Sequence, residues 1–305
     1  MDLAVMIEGQ NGLNWPRWQR MVRTVEDVGF AGLYRSDHFT NAGPPDRDSL
    51  ELWVSLTWLA AHTSRIQFGS LVTPVSFRHP AHTARMAVAV DDLSGGRFTL
   101  GVGAAWQDRE HEKFGFELLP PRERFDRFAE GLRVVSVLVR SDTPVSFSGE
   151  YFQLRDAVVL PRPRRAGGPP ILVGGSGPQR VLPLVARYAD EWNATSKAFA
   201  DYAALRDRLD ALLARRGRRP EDVRRSMMIG CLFGKTDAAL HEKLQGRAPE
   251  DLRGRGILVS TAASVPDDLR RFAALGLDRV MLQWLDLDDL DGLEALAQAA
   301  LPHFH

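Results

Sequence analysis

Short apolar runs recur along the chain, separated by stretches with helical periodicity, and this alternation constrains the fold more than any other feature. Such runs read as buried strands and the intervals as amphipathic helices, the pattern of βα units around a parallel sheet. Eight strands are expected, at 3–7, 32–36, 66–72, 98–102, 171–173, 191–194, 225–233 and 279–284. Among the helices, 16–28 is the clearest. It carries Trp18, Met21, Val22, Val25 and Val28 on one face and is followed by Gly29 as its stop. A second starts at Pro121 with a stripe of Phe125, Phe128, Leu132, Val135 and Leu138, and a third runs from Pro266 to about Leu275, before Gly276. Two stretches interrupt the rhythm. "VSFSGEYFQL" (145–154) alternates around Ser148-Gly149 and reads as a hairpin inserted before the fifth strand, whereas "PRPRRAGGPP" (161–170) reads as a short connector. Helices on either side of that connector cannot bury their apolar faces separately, so 1–305 is expected to form one domain.

Eight βα units with right-handed crossovers close into a TIM (β/α)8 barrel, an α/β fold, with a doubly wound open sheet as the main competitor. At 305 residues the chain has the length for such a barrel. In a barrel the functional residues follow the carboxyl ends of the strands. Composition narrows the function. Lys+Arg and Asp+Glu are both 39, so no global charge attracts nucleic acid or an anionic bilayer, and a small-molecule partner is the expectation. Cys231 is the only cysteine, which excludes an internal disulfide or a cysteine metal cluster and suits a reducing cytoplasm. The start, "MDLAVMIEGQ", is neither a signal peptide nor a membrane span.

The strand ends carry Glu8; "SDHF" at 36–39; "VTPVSFRHP" from Val72; "GVGAAW" with Gly103 and Trp106; "GGSG" at 174–177; and "NATS" with Thr195. On residue type alone, Asp37 reads as a turn cap, His38 as a packed or hydrogen-bonding side chain, and Trp106 as loop packing. Thr73-Pro74 would be a trans proline ending a strand. The glycines of 174–177 allow backbone to approach an anion, or form a plain turn; Pro183 should kink or delay the helix after them. "HEKFG" (His111) and "HEKLQ" (His241) lack the second histidine of a zinc helix. "GGSGP" fails the serine-elbow pattern and "GVGAAW" the dinucleotide fingerprint, so neither a metal nor a nucleophile is indicated.

Taken in order, "GLYRSDHF", "RIQFGSLVTPVSFRHP", "LSGGRFTLGVGAAW", "GEYFQL" and "PPILVGGSGPQRVLPLVARYADEWN" resemble the luciferase-like monooxygenase superfamily, and within it the coenzyme F420-dependent oxidoreductases. The resemblance spans nearly the whole chain. It implies a barrel binding F420, or FMN as the alternative, with contacts from Asp37, His38, Val72, Thr73, Pro74, Gly103, Gly174, Gly175, Ser176, Gly177 and Thr195. It implies catalytic roles for His38 and, second to it, Glu8. The resemblance also implies a bulge with a cis peptide at the end of the third strand, expected here at Thr73-Pro74 because proline makes cis cheap. Trp106 stands where the sugar-phosphate-oxidising branch has a glutamate, and Ala42 about where that branch has a tryptophan. The expected substrate is therefore an apolar or aromatic small molecule lined by Trp106, and hydride transfer with F420 is the expected reaction. The competing readings are an FMN-dependent monooxygenase fed by a separate reductase and a catalytically silent flavin-binding barrel. A homodimer is common in the family.

Overall fold

The computed structural model describes residues 1–304. Twelve strands are present: β1 (Asp2–Ile7), β2 (Gly32–Arg35), β3 (Gln67–Ser70), β4 (Thr73–Pro74), β5 (Phe98–Gly103), β6 (Val145–Ser148), β7 (Gln153–Ala157), β8 (Ile171–Gly174), β9 (Glu191–Thr195), β10 (Arg224–Gly234), β11 (Leu258–Thr261) and β12 (Arg279–Gln283). Pairing runs β12-β1-β2-β3, passes through β3 and β4 to β5, continues β8-β9-β10, and returns from β10 to β12, every step parallel. Counting β3 with β4 as one interrupted stave, eight staves close a TIM barrel. All eight expected strands are staves. The hairpin before the fifth is β6 with β7, joined antiparallel.

Strand alternation divides the core into two layers. Along β1, Leu3, Val5 and Ile7 face the helices, while Ala4 and Met6 join Tyr34, Leu71, Leu172 and Met281 inside the barrel. Outside, the helix Trp15–Val28 seats Trp18, Met21, Val22 and Val25 on the sheet and ends at Gly29 with φ 103°. One strand was not expected. β10 is 11 residues long; its first part pairs with β9 and β12, and its extension Cys231–Gly234 pairs with β11, outside the barrel.

The third stave corrects the expectation at Thr73-Pro74. Its cis peptide is Leu71-Val72, and Thr73-Pro74 is not among the cis bonds. Thr73 pairs with Val102 and Pro74 with Gly103, so ordinary parallel strand has resumed by residue 73. The departure from strand geometry therefore falls before the proline, between Ser70 and Thr73.

Helix Trp15–Val28 also fastens the start of β3. Glu26 Oε1 accepts from the Ser64 and Arg65 amides at 2.9 and 3.0 Å, and Oε2 from the Ile66 amide at 3.0 Å. Burial alone would raise the Glu26 pKa, but these backbone donors outweigh it and hold it below the ordinary value. A folded pKa below the unfolded one gives stability that is present above the unfolded pKa and is lost as pH falls through the folded pKa. Glu26→Ala is expected to cost about 1–3 kcal/mol, read as a lower urea midpoint at pH 7 that converges on wild type in acid.

Candidate active site at the barrel mouth

Between β3 and β4 the chain drives Val72 over the centre of the barrel. Its side chain packs with the inner cluster of Ala4, Met6, Tyr34 and Leu172. Two strand-end glycines make room for it: a Cβ on Gly103 would lie 2.5 Å from Val72 Cγ2, and one on Gly174 would lie 2.9 Å from Cγ1. Both distances are below any real Cβ contact, so glycine is required at both strand ends by this one side chain. Gly103→Ala and Gly174→Ala are each expected to cost about 1–3 kcal/mol through overpacking, seen in thermal melts. Shortening Val72 to alanine should restore most of that loss in the double variants.

Next to this platform the end of β2 places Asp37 and His38. Asp37, 6% exposed, accepts from Thr73 Oγ1 at 2.6 Å and from Arg78 at 2.5 Å, and Arg78 also pairs with Glu51 at 2.9 Å. Asp37 thus ties the end of β2 to the Val72–Thr73 segment. His38 turns the other way. Its Nδ1 lies 2.8 Å from Glu110 Oε1, and its ring meets the Trp106 indole edge-on, centroids 5.7 Å apart. Burial alone would lower the His38 pKa; the hydrogen bond and charge of Glu110, helped by Glu8 and Asp37, outweigh it and raise the pKa above that of a free imidazole. Glu110 belongs to the helix Asp108–Phe114 and is itself buried, with Oε2 accepting the Phe39 amide at 2.9 Å.

Glu8 follows β1, with Oε1 accepting from Gln283 at 2.7 Å and Oε2 from Gln10 at 2.9 Å. Both partners are neutral amides, so the carboxylate is oriented without being neutralised. Trp106 is 62% exposed beside His38 and is not packed into its loop.

On the far rim, β8 ends at Gly174, and Gly175 takes φ 120°. The loop is pinned to β9: the Gly175 amide donates to Asn193 O at 2.9 Å, and Trp192 Nε1 donates to Gly175 O at 2.7 Å. The helix after it begins only at Leu182, with Pro183 in its first turn, as the proline requires. Among the described residues, the amides of Ser176 and Gly177 find no acceptor in the chain, and Ser176 Oγ is buried without a partner. Thr195 ends β9, and its hydroxyl has no partner in the chain.

The structure therefore gathers the expected residues from six strand ends at one end of the barrel. Glu110, Gln107 and Arg78 join them without having been expected. Gln107 is buried, with Nε2 donating to Thr40 O at 3.0 Å and lying 3.3 Å from His38 Nδ1. The signal for Glu110 was its place in "DREHEKFG", three residues after Gln107, but nothing local connects it to a histidine 72 residues earlier. Among the described residues no group of three or more His, Cys, Asp or Glu could hold a metal ion. Two cavities, of about 590 and 240 Å³, lie at the opposite, amino-terminal end, next to Asp2, Ala31 and Arg65 and next to Gln67, Arg97 and Glu191 respectively. At the mouth, where barrels carry their chemistry, Ser176 Oγ and the Ser176 and Gly177 amides are without partners. No helix among the described residues is long and apolar enough to cross a membrane.

Comparison with known proteins agrees with this geometry. A profile of the luciferase-like monooxygenase family matches residues 1–279. The chain is 30% identical over 282 residues to an F420-dependent glucose-6-phosphate dehydrogenase of Kineococcus radiotolerans, covering 90% of this chain and 80% of that one. It is 34% identical over 188 residues to the 4-hydroxyprotoasukamycin monooxygenase of Streptomyces nodosus subsp. asukaensis, a match spanning 62% of this chain and only 48% of the relative. Among solved structures, an F420-dependent secondary alcohol dehydrogenase in complex with an F420-acetone adduct superposes with TM-score 0.86 at 19% identity, covering 100% of this chain and 99% of that one.

Proposed function

The chain belongs to the luciferase-like monooxygenase family, and on that premise we propose that it is an F420-dependent oxidoreductase acting on a small apolar or aromatic molecule. The observation that carries the reading is the platform at Val72, held over the barrel centre by Gly103 and Gly174. It offers an apolar, backbone-supported surface on which a planar ring can rest. The residues also suit the rest of such a ligand. Ser176 Oγ and the amides of Ser176 and Gly177 are donors without acceptors, the chemistry a phosphate satisfies, and the Thr195 hydroxyl is available on the adjacent strand end. When bound, the deazaflavin supplies a ring carbon that accepts or gives a hydride.

The chain's own residues would supply the remainder. Val72, Thr73 and Pro74 support the ring, with Asp37 bracing them through Thr73 and Arg78. His38, whose pKa Glu110 raises above that of a free imidazole, passes or takes a proton at the mouth. Glu8, oriented by Gln10 and Gln283, is the second acid–base group. The exposed Trp106 indole beside His38 gives an apolar face for a substrate and favours a flat or hydrophobic one.

F420 is favoured by the F420-dependent glucose-6-phosphate dehydrogenase, whose match covers 90% of this chain. An FMN-dependent monooxygenase is the second reading because the 4-hydroxyprotoasukamycin monooxygenase is the more identical of the two over the part it matches. Parallel fluorescence titrations with F420 and FMN separate them. Saturable F420 binding with much weaker FMN binding is expected; the reverse result overturns the assignment.

A further inference from the structure

We propose that Glu110 is a positioning residue that fixes the tautomer of His38, placing the proton on Nδ1 and leaving Nε2 as the nitrogen that exchanges a proton at the barrel mouth. Two contacts compete for Nδ1, and they demand opposite tautomers. The Glu110 carboxylate at 2.8 Å accepts, so it requires a hydrogen on Nδ1. The Gln107 amide nitrogen at 3.3 Å donates, so it requires a lone pair there. Only one can be satisfied.

The carboxylate prevails on three counts. It is closer, it is ionic, and charge-assisted hydrogen bonds are roughly twice as strong as neutral ones. Were Nδ1 bare, a lone pair would face a buried carboxylate oxygen at 2.8 Å, which is repulsive. Gln107 loses little in this arrangement, because Nε2 has a second acceptor in Thr40 O at 3.0 Å. The carboxylate cannot swing away, since its other oxygen holds the Phe39 amide, the residue after His38, at 2.9 Å. One side chain therefore grips the backbone and the ring of the same segment. His38 Nε2 has no partner in the chain.

The groups facing His38 are few. Glu110 comes from the helix Asp108–Phe114, Glu8 from the end of β1, and Asp37 from the same segment as His38, with its charge taken up by Arg78. All three favour the imidazolium, and only Glu110 touches it. With Nδ1–H committed to Glu110, protonation and deprotonation happen at Nε2, and the resulting cation keeps its counter-ion.

What the tautomer would do in turnover rests on the oxidoreductase reading; the tautomer itself does not, so it is measured without cofactor. The probe is cofactor-free protein carrying 15N-labelled histidine, with long-range proton–nitrogen correlation spectra across a pH titration and the His38 signals assigned by their loss in His38→Asn. The expected result is an Nδ1–H tautomer for neutral His38 and a titration midpoint above that of free imidazole. In Glu110→Gln the midpoint should fall, because the charge is gone. In Glu110→Leu the acceptor is gone too, and the tautomer should shift toward Nε2–H. If the leucine variant does not fold, the wild-type spectrum decides. An Nε2–H tautomer in wild type, or a midpoint unmoved in Glu110→Gln, overturns the proposal. Absence of F420 binding alongside the expected spectra would remove the redox reading and leave Glu110's role standing.

Discussion

Replacing Arg279 with methionine should destabilise the protein by about 3–5 kcal/mol, the cost of leaving a buried charge without its partner. Arg279 is 1% exposed at the start of β12, inside the amino-terminal end of the barrel. Its guanidinium lies 3.2 Å from Glu191 Oε2 on β9, donates to Tyr34 Oη on β2 and to Gln67 on β3, and lies 3.4 Å from Asp2 on β1. One side chain thus ties five staves. Burial and these partners act in opposite directions on its proton, and the partners win, so its pKa is raised. In Arg279→Met the Glu191 carboxylate keeps its burial and loses the cation it is paired with. Adding Glu191→Leu should recover much of the loss, because removing both ions removes both desolvation costs. Urea unfolding of the two single variants and the double variant checks this; a loss under about 1 kcal/mol in the arginine variant would show that the cluster behaves as a surface pair and does not hold the barrel closed.

His38→Ala should lower kcat by about 10²–10⁴-fold, the usual contribution of a positioned acid–base group. The side chain has the required properties: a raised pKa, an anchored ring, and a free nitrogen beside the exposed Trp106. Its removal also leaves the buried Glu110 carboxylate with the Phe39 amide alone, while Gln107 keeps Thr40 O, so a thermal melt of the variant separates lost stability from lost turnover. The loss should fall on kcat and leave F420 affinity within about tenfold. Turnover is read by loss of deazaflavin fluorescence or absorbance with the hydride donor found in a screen of alcohols and aromatic substrates. A kcat within about threefold of wild type would place the proton transfer on another group, Glu8 first.

Much of the fold was legible because its signal is local. Each stave is an apolar run, and the helix stop at Gly29 has φ 103°, a value glycine alone adopts freely, whereas the helix expected to reach about Leu275 ends at Ala273. β11 escaped because its partner is the overhang of an unusually long strand, a fact of assembly. The site divides in the same way. Asp37-His38 and Gly174–177 stand together in sequence and could be found there. Asp37's actual partners, Thr73 and Arg78, are 36 and 41 residues away, and Glu110 is 72 from His38. The Thr73-Pro74 expectation failed because local peptide cost was weighed without the β5 ladder, which already claims both residues.

In the proposed function a redox ring lies against Val72 with its phosphate-bearing tail over residues 174–177. A crystal structure of the protein grown with F420 tests this directly. The deazaflavin ring is expected to stack on the Leu71–Pro74 segment, with the phosphate taking hydrogen bonds from Ser176 and Gly177. A ring seated elsewhere, such as the cavity beside Arg65 at the amino-terminal end, would contradict it.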